Sequence, residues 1–200
     1  MIRILVTGFE AFLGETINPS GLLLKSAALI PRVDALPLPV AFEKAFPILK
    51  TQLQKENYHF VLLLGQAARR DKISLERVAI NWRETENADN EGVTAIPGHN
   101  ILPETENAFF STLPLDEMLV ALQALEIPVE ISYTAGAYVC NDLFFKTAHL
   151  LQNTHTRCGF IHVPFLPEQV VQKPGVPSMP LATMEKALKA LIACAYNTVN

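Results

Sequence analysis

The sequence is poor in cysteine, and its cysteines do not have the spacing of a disulfide framework or a metal site. The three of them, Cys140, Cys158 and Cys194, are an odd number, and no pair has the C-x-x-C spacing of zinc or thioredoxin-like sites. Unpaired thiols are typical of a reducing compartment. We therefore expect a cytoplasmic protein with reduced cysteines and without a structural metal.

Long apolar runs and excess positive charge are also absent. No run is long enough to span a bilayer, and the first residues, 1–6, lack the long apolar region and the cleavage site of a signal peptide. Lys and Arg number 16 against 20 Asp and Glu, so the formal net charge is -4. The one compact basic cluster, Arg69, Arg70 and Lys72, is explained by a solvated loop. The sequence therefore predicts neither a membrane nor a nucleic acid as partner.

The rest of the composition is that of a globular chain. Half of the 200 residues are hydrophobic and 18% are charged, which favours one domain over residues 1–200. Strand-like and helical patterns alternate, which predicts an α/β fold: a three-layer α/β/α sandwich with a twisted, mostly parallel or mixed central sheet. Predicted strands cover 2–7, 60–64, 73–82, 129–134 and 159–164. Predicted helices cover 20–29, 41–56, 107–125, a stretch after Cys140, and 181–196.

Three finer predictions accompany this outline. The proline-containing segment 36–40 can only be an edge strand or an extended loop. In the strand 73–82, burial of all its apolar residues requires a bulge between Leu75 and Val78. The polar, acidic segment 83–92 predicts a solvated surface loop.

Cys140 stands in the most informative stretch of the chain. The strand pattern 129–134 is followed by Gly136, which allows a tight turn, and then by a helical pattern. Cys140 thus falls in the first helical turn, where free N–H groups and the helix dipole lower a thiol pKa and favour a nucleophilic thiolate. A strand–turn–helix is also how hydrolases present a nucleophile. The alternative is that Cys140 is a small buried hydrophobic residue, and local sequence leaves both open.

Two further residues have a functional and a structural interpretation. His162 lies in the short apolar strand 159–164, where a histidine is more often a hydrogen-bonded core residue than a catalyst. Glu76 lies beside the expected bulge, where a carboxylate among apolar residues either pairs with a cation or carries a function. A surface ion pair with Arg77 or Arg69 is the simpler interpretation of Glu76 from its neighbours alone.

Three separated blocks of the sequence resemble those of pyroglutamyl peptidases, cysteine peptidases that remove an amino-terminal pyroglutamate. The first block is Gly65-Gln66-Ala67-Ala68 with the segment 73–81. The second is the segment 132–141 around Cys140, and the third is the segment 159–164 around His162. Thr7-Gly8-Phe9 and Asn18-Pro19-Ser20 agree as well, so the resemblance extends over essentially the whole chain.

The resemblance implies a catalytic triad and a substrate pocket. The triad would be Cys140, His162 and Glu76, acting through a thioester. The pocket for the uncharged lactam ring would use Phe9, Phe12, Gln66 and Val139. It also implies pyroglutamyl peptides as substrates, no metal and no cofactor, and, by analogy with bacterial relatives, a homo-oligomer, namely a tetramer.

The chain departs from the family pattern in the segment that borders the substrate. The family's Arg-Ile-Pro-Asp-Asn is here Glu86-Asn87-Ala88-Asp89-Asn90, and Ala11 and Leu13 replace a proline and a glycine. These changes leave open a second hypothesis, a binding or regulatory homologue that processes such peptides poorly. From the resemblance we expect Glu86 and Asn87 to border the ring and the segment to be mobile without ligand.

Overall fold

A mixed six-stranded sheet forms the centre of the molecule. The computed structural model describes residues 2–198, and its sheet has the order β2-β1-β3-β10-β4-β9. All neighbouring pairs are parallel except β10 and β4, which are antiparallel. Those strands are β1 Ile4–Phe9, β2 Val33–Leu38, β3 Phe60–Gln66, β4 Ile73–Glu76, β9 Val129–Ser132 and β10 Arg157–Val163.

Two small antiparallel sheets lie outside the central one. They are formed by β5 Val78–Ile80 with β8 Ala108–Phe110, and by β6 Arg83–Thr85 with β7 Ala95–His99. The helices are α1 Pro19–Ala27, α2 Ala45–Lys55, α3 Leu115–Gln123, α4 Val139–Leu151 and α5 Leu181–Asn197, with a short 3-10 helix at Pro167–Gln169. Among residues 2–198, no helix is long and apolar enough to cross a membrane.

Helices cover both faces of the central sheet, because its middle strands are apolar on both sides. β3 is buried along its whole length, the pattern expected of a strand between two helical layers. One apolar core joins the sheet to α1, α3 and α5, and a second joins the opposite face to α2 and α4. The predicted α/β/α sandwich with a mixed sheet is confirmed.

Most predicted elements are present, with shifted ends. Residues 36–38 of the segment 36–40 belong to the edge strand β2 and the last two follow it, and the apolar run at 60–64 is the core of β3. The bulge predicted between Leu75 and Val78 is not present, because Val78 and Ile80 are only partly buried. The strand is interrupted at Arg77 instead: β4 stays in the central sheet, and β5 leaves it to pair with β8.

Two element predictions are wrong in part. The segment 107–125 is helical only in α3, because Ala108–Phe110 pairs with β5 as an edge strand before Pro114 caps the helix. The segment 83–92 is not wholly a solvated loop, because Arg83–Thr85 is a strand and Arg83 is buried. In both cases long-range pairing overrides the local pattern.

Candidate active site

The nucleophile candidate lies against the carboxyl end of β3. A Cβ placed on Gly65 would be 3.0 Å from Cys140 Sγ and 2.7 Å from Phe160 Cζ, so a residue without a side chain is needed there. Gly65 is paired in register with His162 on the parallel strand β10, and paired residues of adjacent strands, about 4.8 Å apart, point to the same face. Cys140 and His162 are thus neighbours on one face of the sheet, and both line one cleft.

His162 is held by a buried carboxylate. Its Nδ1 donates to Glu76 Oε1 at 2.7 Å, and both side chains are almost completely buried. A carboxylate can only accept, so this bond fixes the proton on Nδ1 and leaves Nε2 as an acceptor. Arg70 lies 3.2 Å from the same Glu76 oxygen and also donates to the Thr134 carbonyl at 2.9 Å. The surface ion pair of Glu76 with Arg77 or Arg69 is therefore not what the structure contains.

The buried environment of Cys140 disfavours the thiolate, contrary to the expectation from its place in the helix. Burial raises the pKa of Cys140 to about 12, and the nearby negative charge of Glu76 acts in the same direction. A backbone hydrogen bond and the positive charge of Arg70 oppose this but are weaker. Desolvation of the charged form outweighs the favourable helix terminus here.

The helix that carries Cys140 begins without a side-chain cap. Its first residue is Val139, and no side chain caps it from Tyr138, so its first backbone N–H groups remain available beside Cys140. A six-residue loop, 133–138, leads there from β9, and Gly136 in it has a positive φ of 81°. Asn141 fixes the helix laterally by bonding both the N–H and the C=O of Ile80.

A narrow apolar pocket opens beside Cys140. Its empty volume is about 220 Å³ including the mouth. The lining consists of Phe9, Phe12, Asn18, Val40, Gln66, Tyr138, Val139 and Cys140. A larger cleft, about 1080 Å³ with its open mouth, also contains Gln66, Cys140 and His162. The pocket and the cleft share Phe12, Gln66, Tyr138 and Cys140, so the two cavities adjoin at the candidate nucleophile.

The structure brings together all seven residues that the resemblance singled out. Cys140, His162 and Glu76 form one constellation through the contacts above, and Phe9, Phe12, Gln66 and Val139 line the pocket next to it. Sequence reasoning missed Tyr138, whose ring stacks on Phe12 with centroids 6.2 Å apart. It also placed Arg70 in a solvated loop. The only sequence signal for Tyr138 was that it is a large aromatic residue two positions before Cys140. The sequence contained no signal for the contacts of Arg70.

Contrary to the expectation, the side chains of the divergent segment 86–88 do not line the ring pocket. The side chains of Glu86, Asn87 and Ala88 are exposed, and they are absent from the lining of both cavities among the described residues. The segment is fastened at both sides: Tyr138 Oη donates to the Ala88 carbonyl at 3.0 Å, and Asn90 donates to the Ala11 carbonyl at 2.9 Å. These bonds hold the backbone near the pocket wall while the side chains face solvent.

Arg83 anchors the start of this segment to helix α4. It lies in a buried ion pair with Asp142, with Nη2 2.6 Å from Oδ2, and its guanidinium lies 4.3 Å from the Phe42 ring centre. Lys146 supplies a second cation to Asp142 at 2.8 Å. β6 is therefore connected directly to the first turn of α4, two residues beyond Cys140.

Comparison with known proteins places this site in a family. The pyroglutamyl peptidase family model matches residues 2–198. The chain belongs to the pyroglutamyl peptidase family. A pyrrolidone-carboxylate peptidase of Thermosipho melanesiensis is 42% identical over 195 residues, covering 94% of this chain and 95% of that protein. The chain is therefore a peptidase, and the sequence resemblance is confirmed.

Solved structures agree with this placement. Pyroglutamyl peptidase I of Bacillus amyloliquefaciens superimposes with a TM-score of 0.92 at 36% identity, covering 98% of this chain and 95% of that one. A variant of the pyrrolidone carboxyl peptidase of Pyrococcus furiosus gives 0.93 at 34% identity, with both chains covered completely. This peptidase thus shares its whole fold with the enzymes of Bacillus amyloliquefaciens and Pyrococcus furiosus.

Proposed function

We propose that this peptidase removes an amino-terminal pyroglutamate from peptides, with Cys140 as nucleophile, His162 as general base and acid, and Glu76 as the residue that orients the imidazole. The observation that carries the proposal is the hydrogen bond from His162 Nδ1 to the buried Glu76 carboxylate, beside a cysteine packed on the neighbouring strand. The arrangement follows the logic of nucleophile–base–orienter triads.

The first half of the reaction forms a thioester. Because burial disfavours the thiolate in the resting state, His162 Nε2 takes the thiol proton as sulfur attacks the carbonyl carbon of the pyroglutamyl residue. The imidazolium so formed is stabilised by Glu76. N–H groups at the uncapped start of α4 stabilise the oxyanion. The C–N bond then breaks, His162 returns the proton to the leaving amine, and the shortened peptide departs.

The second half restores the enzyme. His162 takes a proton from a water molecule that attacks the thioester carbon, and the C–S bond breaks. The thiolate regains a proton and pyroglutamate leaves as the free acid. The ring stays in the apolar pocket throughout, where Phe9, Phe12 and Val139 exclude water and Gln66 supplies a polar partner. No step requires a metal or an organic cofactor.

We extend the proposal to the state of the protein in the cell. The free thiols of Cys140, Cys158 and Cys194 favour the reducing cytoplasm as its compartment. Residues 1–200 act as a single peptidase domain, and the protein assembles as a homo-oligomer, a tetramer by analogy with its relatives.

The alternative function, that of a homologue that processes such peptides poorly, was suggested by Glu86 and Asn87. Their side chains are exposed and do not line the pocket, so they are a weak argument for that alternative.

Hydrolysis of a pyroglutamyl arylamide tests the triad. We expect the wild-type protein to release the arylamine, Cys140→Ala to lose about 10⁶ in kcat and Glu76→Gln to lose about 10⁴, by comparison with triads in serine peptidases. The two losses differ because Glu76 orients and stabilises the imidazolium but does not attack.

Circular dichroism and thermal unfolding of both variants provide the control for folding. A folded Glu76→Gln variant with full activity would contradict the role of Glu76. A wild-type protein that binds the arylamide without releasing product would favour the non-processing homologue instead.

A further inference from the structure

Gln169, the last residue of the short 3-10 helix, is a buried side chain with every polar atom engaged. Its Oε1 accepts from the Leu166 backbone N–H at 2.9 Å, and its Nε2 donates to the Ile17 carbonyl at 3.2 Å. These two partners are backbone groups with fixed roles, one a donor and the other an acceptor. Nε2 also lies 3.3 Å from Glu15 Oε2, and a carboxylate oxygen likewise accepts. Together these partners determine which end of the Gln169 amide is oxygen and which is nitrogen.

The orientation of Gln169 determines that of Gln66. Gln169 Nε2 lies 2.9 Å from a terminal atom of Gln66, and since an NH₂ group can only donate, that atom must be Gln66 Oε1. A terminal amide offers one oxygen and one NH₂ group. Gln66 Nε2 is therefore turned away from Gln169.

The free end of Gln66 faces the ligand cavities. Gln66 is buried, lines both the ring pocket and the cleft, and its Nε2 makes no hydrogen bond to any residue in 2–198. That nitrogen is also not among the buried unpaired side-chain atoms of that range, so it opens on a cavity. A donor is thus presented beside Cys140, where the ring pocket and the cleft adjoin.

We propose that Gln169 is a positioning residue that locks the Gln66 amide with its NH₂ group facing the ring pocket, so that the pocket selects rings bearing a carbonyl. This rests on the proposed function, because it assigns the lactam carbonyl of pyroglutamate to Gln66 Nε2. A ring without that oxygen leaves the donor unpaired in a closed site, which is unfavourable. Without Gln169, the Gln66 amide can rotate and present its oxygen to the carbonyl.

Kinetics of Gln169→Leu test the lock. We expect KM for a pyroglutamyl arylamide to rise about tenfold, one lost hydrogen bond in a buried site, with kcat nearly unchanged because Cys140 and His162 lie on other elements. The inhibition constant of 2-pyrrolidone, the bare lactam ring, should rise by the same factor. Glu168→Gln, an exposed neighbour on the same 3-10 helix, is the matched control and should change neither value.

Gln66→Glu provides a second test that does not disturb Gln169. The carboxylate still accepts from Gln169 but presents an acceptor to the ring, so 2-pyrrolidone should bind weakly at neutral pH. Lowering the pH protonates the carboxyl group, which can then donate, so binding should recover as the pH falls. The rise in Tm with added 2-pyrrolidone measures this without catalysis, and the wild-type protein should not show the same recovery.

The outcomes separate this inference from the proposed function. Suppose that folded Gln169→Leu keeps its KM and inhibition constant, while Gln66→Glu binds 2-pyrrolidone weakly and in a pH-dependent way. That result would overturn the role of Gln169 in orienting Gln66 but not the contact between Gln66 and the ring. A fall in kcat without change in KM would mean that Gln169 supports the fold of the site and does not orient Gln66. Unchanged 2-pyrrolidone binding in both variants would overturn the assignment of the ring pocket itself.

Discussion

Two opposite influences act on the Cys140 thiol, and their balance determines how the nucleophile is generated. The start of α4 and Arg70 favour the thiolate, whereas burial and the charge of Glu76 favour the thiol, and the latter prevail with a pKa of about 12. Proton transfer to His162 then has to accompany attack. In contrast, a preformed thiolate–imidazolium pair would be reactive before substrate binds.

Alkylation of the free enzyme distinguishes these two states. Since the thiol pKa is raised, the thiolate fraction should increase about tenfold per pH unit across the neutral and alkaline range. We expect the rate of Cys140 labelling by iodoacetamide to rise accordingly, and to exceed that of Cys158, which is buried with a pKa also raised to about 12.

Peptide mapping at several pH values provides the measurement. A rate that reaches a plateau just above the ordinary histidine pKa of about 6.5 would indicate a preformed ion pair instead. Preferential labelling of Cys194, which is also partly accessible, would contradict the assignment of Cys140 as the accessible active-site thiol.

At the scale of elements, β6 and α4 are joined by the buried pair of Arg83 and Asp142. A buried charge that loses its partner is costly, typically about 3–5 kcal/mol, because the remaining ion is desolvated without compensation. Here Lys146 stays within 2.8 Å of Asp142, so the loss should be smaller. The pair therefore secures the position of the first turn of α4 with respect to the segment 83–92.

Arg83→Met measures this connection. We expect the free energy of unfolding to fall by about 2–3 kcal/mol, because Asp142 keeps one of its two cations. Urea denaturation gives the value, and Lys44→Met, which breaks the exposed pair with Glu91, is the matched control with an expected loss below about 1 kcal/mol. Equal losses in the two variants would mean that the buried pair is no stronger than a surface one.

The sequence predicted elements whose stability is local and missed those that depend on distant partners. The apolar run of β3 and the periodicity of α5 are visible in the chain, and both elements are present. β6 and β8 form by pairing with other segments, β7 and β5. β6 is polar, and the apolar residues of β8 fit the helical pattern predicted for 107–125. The buried state of Arg83 is of this kind, since it is stabilised by ion pairs with Asp142 and Glu43, which lie 59 and 40 residues away.

The site was predictable to the extent that it follows a family pattern. The proposed triad and pocket residues were singled out through the resemblance, whereas the residues that contact and orient them were not. Gln169 and Arg70 act through hydrogen bonds to Gln66, Thr134 and Glu76 that join distant segments. Burial and charge at Cys140 are likewise properties of the assembled site, so the local sequence left open whether the pKa of Cys140 is lowered by the helix start or raised by burial.

For the whole molecule, the central sheet and its two helical layers should unfold together with the small sheets. The single tryptophan, Trp82, lies between β5 and β6, so its fluorescence reports on the peripheral strands. Far-UV circular dichroism reports mainly on the helices and the central sheet. If residues 1–200 are one domain, both signals should give the same midpoint in urea, as two-state unfolding requires.

An earlier fluorescence transition would contradict the single-domain proposal. Such a result would mean that the peripheral strands open independently of the central sheet. The experiment should be run at two protein concentrations, because assembly into an oligomer makes the midpoint depend on concentration. A midpoint that does not change with concentration would speak against a stable homo-oligomer.

The central claim is that Cys140 is the nucleophile beside the bound pyroglutamyl ring. Affinity labelling of the active site by a pyroglutamyl chloromethyl ketone tests it most directly. The reagent carries the lactam ring and alkylates a nucleophile placed beside the bound ring, whether or not an acyl intermediate accumulates. We predict that one equivalent inactivates the enzyme, that mass spectrometry of peptides finds the label on Cys140, and that excess 2-pyrrolidone slows the reaction. Inactivation with Cys140 unmodified, or a label on Cys158 or Cys194 instead, would contradict the account.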